Sequence, residues 1–177
     1  MKKVIYAGFI AASVILVGCN GNKDNATSSD TSTSSVDSSA TVSTAAPAKA
    51  QTSNTISLSA NDQMKYSATS FTVKSGEPVS LTMKNEGTLP AAYMSHDVVV
   101  LKPGTDVNTF GQEVGKVQGK IDKLPADVKS QIVAETKMLG PGESDTISFT
   151  LSAPGEYPFL CSFPGHYAAM NGKITAE

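Results

Sequence analysis

Cys161, His166 and Met170 fall within one run, Cys161-Ser162-Phe163-Pro164-Gly165-His166-Tyr167-Ala168-Ala169-Met170, and the chain has only one other histidine, His96. A thiolate, two imidazoles and a thioether form a soft nitrogen–sulfur donor set. Copper electron-transfer sites use this set, as two His and one Cys with a long axial Met, because sulfur suits Cu(I) and imidazole suits both oxidation states. Zinc would bind the thiolate and imidazoles too, but it does not change oxidation state, and structural zinc sites rarely use Met. A Cys–His nucleophile needs an orienting third group; here Cys161 and His166 share one tight loop, and Asp97 stands beside the other histidine. Taken singly, Cys161 reads as a small buried hydrophobe, His96 as a satisfied core histidine and Met170 as a gap-filler. Their convergence favours a metal.

Strands must supply that convergence. Branched and aromatic residues alternate between turn signals at Ile56–Ala60, Ser70–Val73, Pro78–Lys84, His96–Leu101, Thr146–Leu151, Glu156–Cys161 and Gly172–Thr175. Ser75-Gly76, Glu86-Gly87, Pro141-Gly142 and Pro154-Gly155 punctuate them. The pattern indicates an all-β sandwich or barrel. Side chains alternate along a strand, so Tyr157, Phe159 and Cys161 share one face, as do His96, Val98 and Val100. Both rows read as core-facing, which points Cys161 and His96 inward at one pole. The Pro164-Gly165 turn then returns His166 and Met170 over it. One stretch departs from β character: Val107, Phe110, Val114, Val117 and Ile121 recur at helical spacing. Gly111, Gly115 and Gly119 weaken that helix, and Pro125 is expected to open a second one over Asp127–Val133. Together they read as a helical flap packed on the outside of the sandwich.

The 177 residues include 14 lysines, no arginine, 16 acidic residues and 2 cysteines, for a formal charge of −2. That length fits one domain with a tail. The charge gives no basic footprint for nucleic acid, and two cysteines cannot make a disulfide-dense scaffold or a four-cysteine zinc site. Lys2 and Lys3 precede an apolar stretch, Val4 to Val17, too short to span a bilayer well, so residues 1–18 read as a signal peptide. The end of that stretch, Leu16-Val17-Gly18-Cys19, resembles the lipobox of bacterial lipoproteins. This implies that Cys19 is acylated and becomes the N-terminus. Asn20 stands where an Asp would argue for inner-membrane retention, so the outer membrane is the favoured address. After cleavage 12 lysines face 16 acids, a mild net charge of −4. Residues 19–53 are dominated by Ser, Thr, Ala, Asn and Asp without periodicity, and read as a disordered tether with a reach of about 30 Å. Residues 54–177 form the expected domain.

The Cys-x4-His-x3-Met run resembles the ligand loop of the azurins, which are small cupredoxins. Leu89-Pro90-Ala91-Ala92-Tyr93-Met94-Ser95-His96 is similar to the azurin first-histidine segment, and Thr136-Lys137-Met138-Leu139-Gly140 and the Gly142-Glu143-Ser144-Asp145 turn also look azurin-like. The resemblance covers about residues 55–176. It implies a two-sheet Greek-key cupredoxin β-sandwich carrying one type 1 copper bound by His96, Cys161 and His166. Met170 and the Ser95 backbone carbonyl would be weak axial neighbours, with Asp97 and Ser162 behind the ligands. Electrons would pass through the exposed edge of His166, inside a docking rim of Leu89, Met94, Phe163, Pro164, Gly165, Ala168 and Ala169. Four departures from the azurin pattern stand out. Ser95 replaces a glycine, Asp97 replaces an asparagine that ties the two ligand loops, Val98 replaces a buried tryptophan, and the azurin disulfide has no cysteines here. None removes a ligand.

The expected protein is therefore a lipid-anchored one-electron carrier on the periplasmic side of a bacterial membrane, monomeric and not an enzyme. Its expected partners are redox proteins such as a c-type cytochrome, a copper reductase or an oxidase. The alternative on the same fold is copper storage, delivery or sensing.

Overall fold

The computed structural model describes residues 52–177. The expected leader, Cys19 and the tether lie outside those residues, except for Thr52 and Ser53, where hydrogen bonding to the domain begins. Thr52 Oγ1 donates to Glu177 Oε1 at 3.3 Å and Ser53 N to Thr72 O at 3.2 Å.

Nine strands are seen: β1 (Thr55–Asn61), β2 (Lys65–Tyr66), β3 (Ser70–Val73), β4 (Pro78–Asn85), β5 (Val99–Leu101), β6 (Ile132–Glu135), β7 (Ser144–Thr150), β8 (Gly155–Leu160) and β9 (Asn171–Ala176). They form two sheets, in the orders β2-β1-β4-β7 and β3-β9-β8-β5-β6. The chain passes repeatedly from one sheet to the other, so most neighbours are not consecutive. β1 lies parallel to β4, and β3 parallel to β9. This is the expected all-β, two-sheet Greek-key sandwich.

Period-two alternation builds its core. Ile56, Leu58 and Ala60 of β1 and Val79, Leu81 and Met83 of β4 turn inward, in register as Ile56 opposite Leu81 and Leu58 opposite Met83. Val98, Val100, Tyr157, Phe159 and Ile174 meet them from the other sheet, and Cys161 and Met170 belong to the same cluster. Each such side chain contributes about 2 kcal/mol by leaving water. The cysteine and methionine are thus the end of a packed core.

The flap covers the opposite face of the second sheet. It contains α2 (Val107–Lys116), a 3₁₀ turn (Ile121–Lys123) and α3 (Ala126–Lys129). Asp106 caps α2 by accepting the Thr109 N–H at 2.7 Å. Phe110, Val114, Leu124 and Val128 pack on Val99, Leu101 and Leu160. β5 is therefore buried on both faces, which is why Val98 to Leu101 is a continuous apolar run. Gly111 does more than weaken the helix: a Cβ there would lie 2.3 Å from the Tyr167 ring, so its absence lets α2 approach the ligand loop.

Three expectations need correction. The strand foreseen from His96 begins at Val99, with His96 held ahead of it in a single antiparallel bridge to Leu139. The helix foreseen over Asp127–Val133 stops at Lys129, and Ile132–Glu135 becomes β6. Ile132 and Val133 are β-branched and the free edge of β5 needs a partner, so pairing outcompetes the helix. Two short elements, β2 and α1 (Ala91–Met94), were absent from the sequence reading.

Candidate metal centre

The first ligand segment is fixed by its backbone. Pro90 starts α1, and Ser95 ends it with its hydroxyl donated to Ala91 O at 2.8 Å. His96 then exchanges two backbone bonds with Leu139, at 3.0 and 2.8 Å. Asn85, fully buried, locks both sides: its Nδ2 donates to Met94 O and to Leu139 O, each at 3.0 Å. The His96 ring is fixed too. Its Nε2 lies 3.1 Å from the Asn61 carbonyl, which can only accept, so Nε2 carries the proton and Nδ1 keeps a free lone pair.

The second segment folds over the first. Cys161 follows β8, and its N–H donates to Met170 O at 3.0 Å, closing the loop at its two ends. Within it, His166 N donates to Phe163 O at 3.0 Å and Met170 N to His166 O at 2.9 Å, with Gly165 supplying a φ of 86° at the turn. Cys161 Sγ is then 3.9 Å from His96 Nδ1 and 3.8 Å from His166 Nδ1. All three donor atoms lie within 4.8 Å of one another, the one such group of three or more metal-ligating side chains among the described residues. Two donors bonded to one ion at roughly 2.05 and 2.3 Å, about 120° apart, would be about 3.8 Å from each other. The observed spacing fits a single trigonal ion.

Electrostatics agree. Burial lowers the pKa of His96, and burial followed by repulsion from His96 lowers that of His166 to about 4, so both imidazoles are neutral and able to coordinate. Burial, and then Asp97, push the Cys161 thiol well above its usual range, while the backbone N–H groups of Asp97 and Phe163 bond toward its sulfur and pull it back. A thiol in this setting ionises when a cation takes the place of its proton.

The sequence-derived neighbours divide clearly. Met170 is fully buried and Ser95 nearly so; Ser95 directly precedes His96, and the Met170 carbonyl accepts the Cys161 N–H. The tie expected from an asparagine is made by Asp97 itself, whose carboxylate accepts the Ser162 N–H at 2.7 Å and the Ser162 hydroxyl. Burial raises the Asp97 pKa to about 6 against these two bonds. On the rim, Leu89, Pro164, Gly165, Ala168 and Ala169 are exposed, whereas Met94 and Phe163 are half-buried. Phe163 stacks on His166 with ring centroids 4.5 Å apart, and His166 itself is only 4% exposed.

Sequence reasoning missed several contributors. Tyr93 (71% exposed) and Met138 (38%) widen the apolar rim, and Met138 lines a groove of about 420 Å³ with Ala92, Phe163, Pro164 and the flap residues Gln118–Lys120. Asn61 acts through its own carbonyl and Asn85 on the carbonyls of Met94 and Leu139, which no spacing of residue types reveals. The turn-forming Asn61-Asp62 pair is the signal that points to Asp62; its carboxylate accepts the N–H of Thr88 at 2.8 Å and of Leu89 at 3.1 Å, holding the rim.

Residues 52–177 match the family described as copper binding proteins, plastocyanin/azurin family. The chain is 36% identical over 121 residues to outer membrane protein H.8 of Neisseria meningitidis serogroup B, covering 67% of this chain and 64% of that protein, less than two thirds of its length. It is 35% identical over 125 residues to azurin of Alcaligenes faecalis, covering 67% of this chain and 94% of that one. The crystal structure of dithionite-reduced auracyanin from Roseiflexus castenholzii superposes with a TM-score of 0.62 at 41% identity, over 71% of this chain and 98% of that one.

Proposed function

From the premise that the chain belongs to the plastocyanin/azurin family of copper-binding proteins, we propose a membrane-tethered one-electron carrier whose single type 1 copper is held by His96, Cys161 and His166. The observation that carries the reading is the buried triangle of three donor atoms within 4.8 Å, capped by a histidine beneath an apolar rim. Copper supplies a Cu(I)/Cu(II) couple at this position. Met170 and the Ser95 carbonyl would be further, weaker neighbours of the metal.

The protein's own groups do the rest. The Asn61 carbonyl and the Leu139 bridge hold His96 in one tautomer and one orientation. The Asp97–Ser162 bonds and the Cys161–Met170 closure hold the second segment against the first, so the donors have little freedom to move between oxidation states. Burial excludes water, and three protein ligands with two weaker protein neighbours would leave no open position for a substrate, in keeping with a carrier rather than an enzyme.

His166 is the nearest donor to solvent, and the surrounding rim of Leu89, Tyr93, Pro164, Ala168 and Ala169 suits a small, apolar, rapidly releasing contact with a redox protein. A c-type cytochrome, a copper reductase or an oxidase would present the matching surface. The lipobox-like Cys19 and the name of the H.8 relatives, outer membrane protein, support a place in the bacterial envelope, with the lipid on Cys19 as anchor.

Voltammetry of the copper-loaded chain tests the reading. A reversible one-electron wave with the metal retained over many cycles is expected; loss of copper to a partner apo-protein within the same cycles would replace the carrier with a delivery protein.

A further inference from the structure

Between β1 and β2 the chain turns at Asn61–Met64, with Met64 at a φ of 54°. This hairpin reaches the first ligand segment at three places. Asp62 holds Thr88 and Leu89, the Asn61 carbonyl takes the His96 Nε2–H, and the Tyr66 hydroxyl donates to the backbone carbonyl of Asp97. The Tyr66 ring is buried against Phe159, with centroids 5.6 Å apart. Burial pushes its hydroxyl well above the usual tyrosine range, so it stays protonated and remains a donor.

Asp97 is the residue where these contacts meet the site. It follows His96 directly, and its carboxylate holds Ser162, which follows Cys161. Its buried carbonyl accepts the Tyr66 hydroxyl.

We propose that Tyr66 is a positioning residue for the metal centre: its hydroxyl anchors Asp97 from behind and so keeps the Asp97 carboxylate on Ser162, the residue after Cys161. The inference rests on the copper reading above. Donors held in one trigonal arrangement would keep Cu(II) from the tetragonal geometry it prefers and so favour the reduced metal. An Asp97 released by loss of the Tyr66 hydroxyl would loosen the tie between the two ligand segments, Cu(II) would be better accommodated, and the potential would fall.

The test compares Tyr66→Phe with Tyr157→Phe in the copper-loaded chain from Asn20 onward. Tyr157 also donates to a backbone carbonyl, Ala153 O at 2.9 Å, but in the loop before β8 rather than at Asp97, so it is a matched control. Both variants should lose some thermal stability. Only Y66F should lose preference for Cu(I) over Cu(II), on the order of threefold, or about 28 mV lower at about 59 mV per decade for one electron. In the metal-free protein, amide exchange at Ser162, whose N–H is held by Asp97, should quicken in Y66F alone. Should Y66F fail to fold, 3-fluorotyrosine placed at 66 keeps the ring and strengthens the donated bond, and should shift the potential upward. A wild type with an intense thiolate–copper band but an unmoved potential in Y66F overturns the role of Tyr66 alone. A wild type without that band overturns the copper reading and this proposal with it.

Discussion

At Asp97, one residue after His96, the carbonyl and both carboxylate oxygens accept hydrogen bonds from Tyr66 and from Ser162, which itself follows Cys161. A carboxylate so close to the centre favours the more positive oxidation state. Asp97→Asn keeps the shape and can still bond Ser162, by accepting its N–H and donating to its hydroxyl. The potential of D97N should therefore rise, on the order of tens of millivolts for a partly screened charge; an equal or lower value on voltammetry would mean the carboxyl is neutral in the loaded protein. Met170, fully buried at the close of the ligand loop, is tested in the other direction. Met170→Gln brings a harder oxygen donor that favours Cu(II), so its potential should fall. No change in M170Q would remove Met170 from the axial position.

Flap and ligand loop are coupled through two glycines. At Gly111 a Cβ would lie 2.3 Å from the Tyr167 ring, and at Gly119, with φ 76°, it would meet Pro164 and the Ser162 carbonyl at 3.1 Å. In a free helix Gly111→Ala would gain about 1 kcal/mol of propensity. Here the clash, with rigid aromatic atoms, should dominate, and G111A should lose about 1–3 kcal/mol in denaturant unfolding. A more stable G111A would show that Tyr167 moves aside freely. These elements also mark what the sequence made legible. The strands around Tyr157, Phe159 and Cys161 were readable because side-chain period and burial coincide, and the α2 periodicity because its apolar face meets one surface. His96, Cys161 and His166 were readable because few residue types bind metal and the chain has few of them. β2 was not, since two residues hold no period. β6 was not, since the partner edge of β5 lies about thirty residues away in sequence. Asn85 and Tyr66 act on backbone carbonyls, and a carbonyl has no residue type to betray it.

Across the whole molecule, charge and surface divide the tasks. Residues 52–177 carry ten lysines against thirteen acidic residues, a mild imbalance, and the rim over His166 is apolar. Docking through that rim should depend weakly on salt, and electron exchange with a cytochrome should fall when Leu89→Asp places a charge there, as stopped-flow mixing would show; an unaffected rate would put the contact elsewhere. The proposed tether rests separately on Cys19. Cys19→Ala should move the protein from the membrane fraction to the soluble one with its metal site unchanged, and a variant still sedimenting with membranes would remove the lipid anchor. On the proposed reading the Cys161 thiolate binds copper between two histidines. The decisive measurement is the visible absorption spectrum of the chain from Asn20 onward with one equivalent of Cu(II), beside Cys161→Ser. An intense blue band, bleached by ascorbate and absent in C161S, is the predicted result; a folded protein that takes up Cu(II) without such a band, or a C161S variant that keeps it, would contradict it.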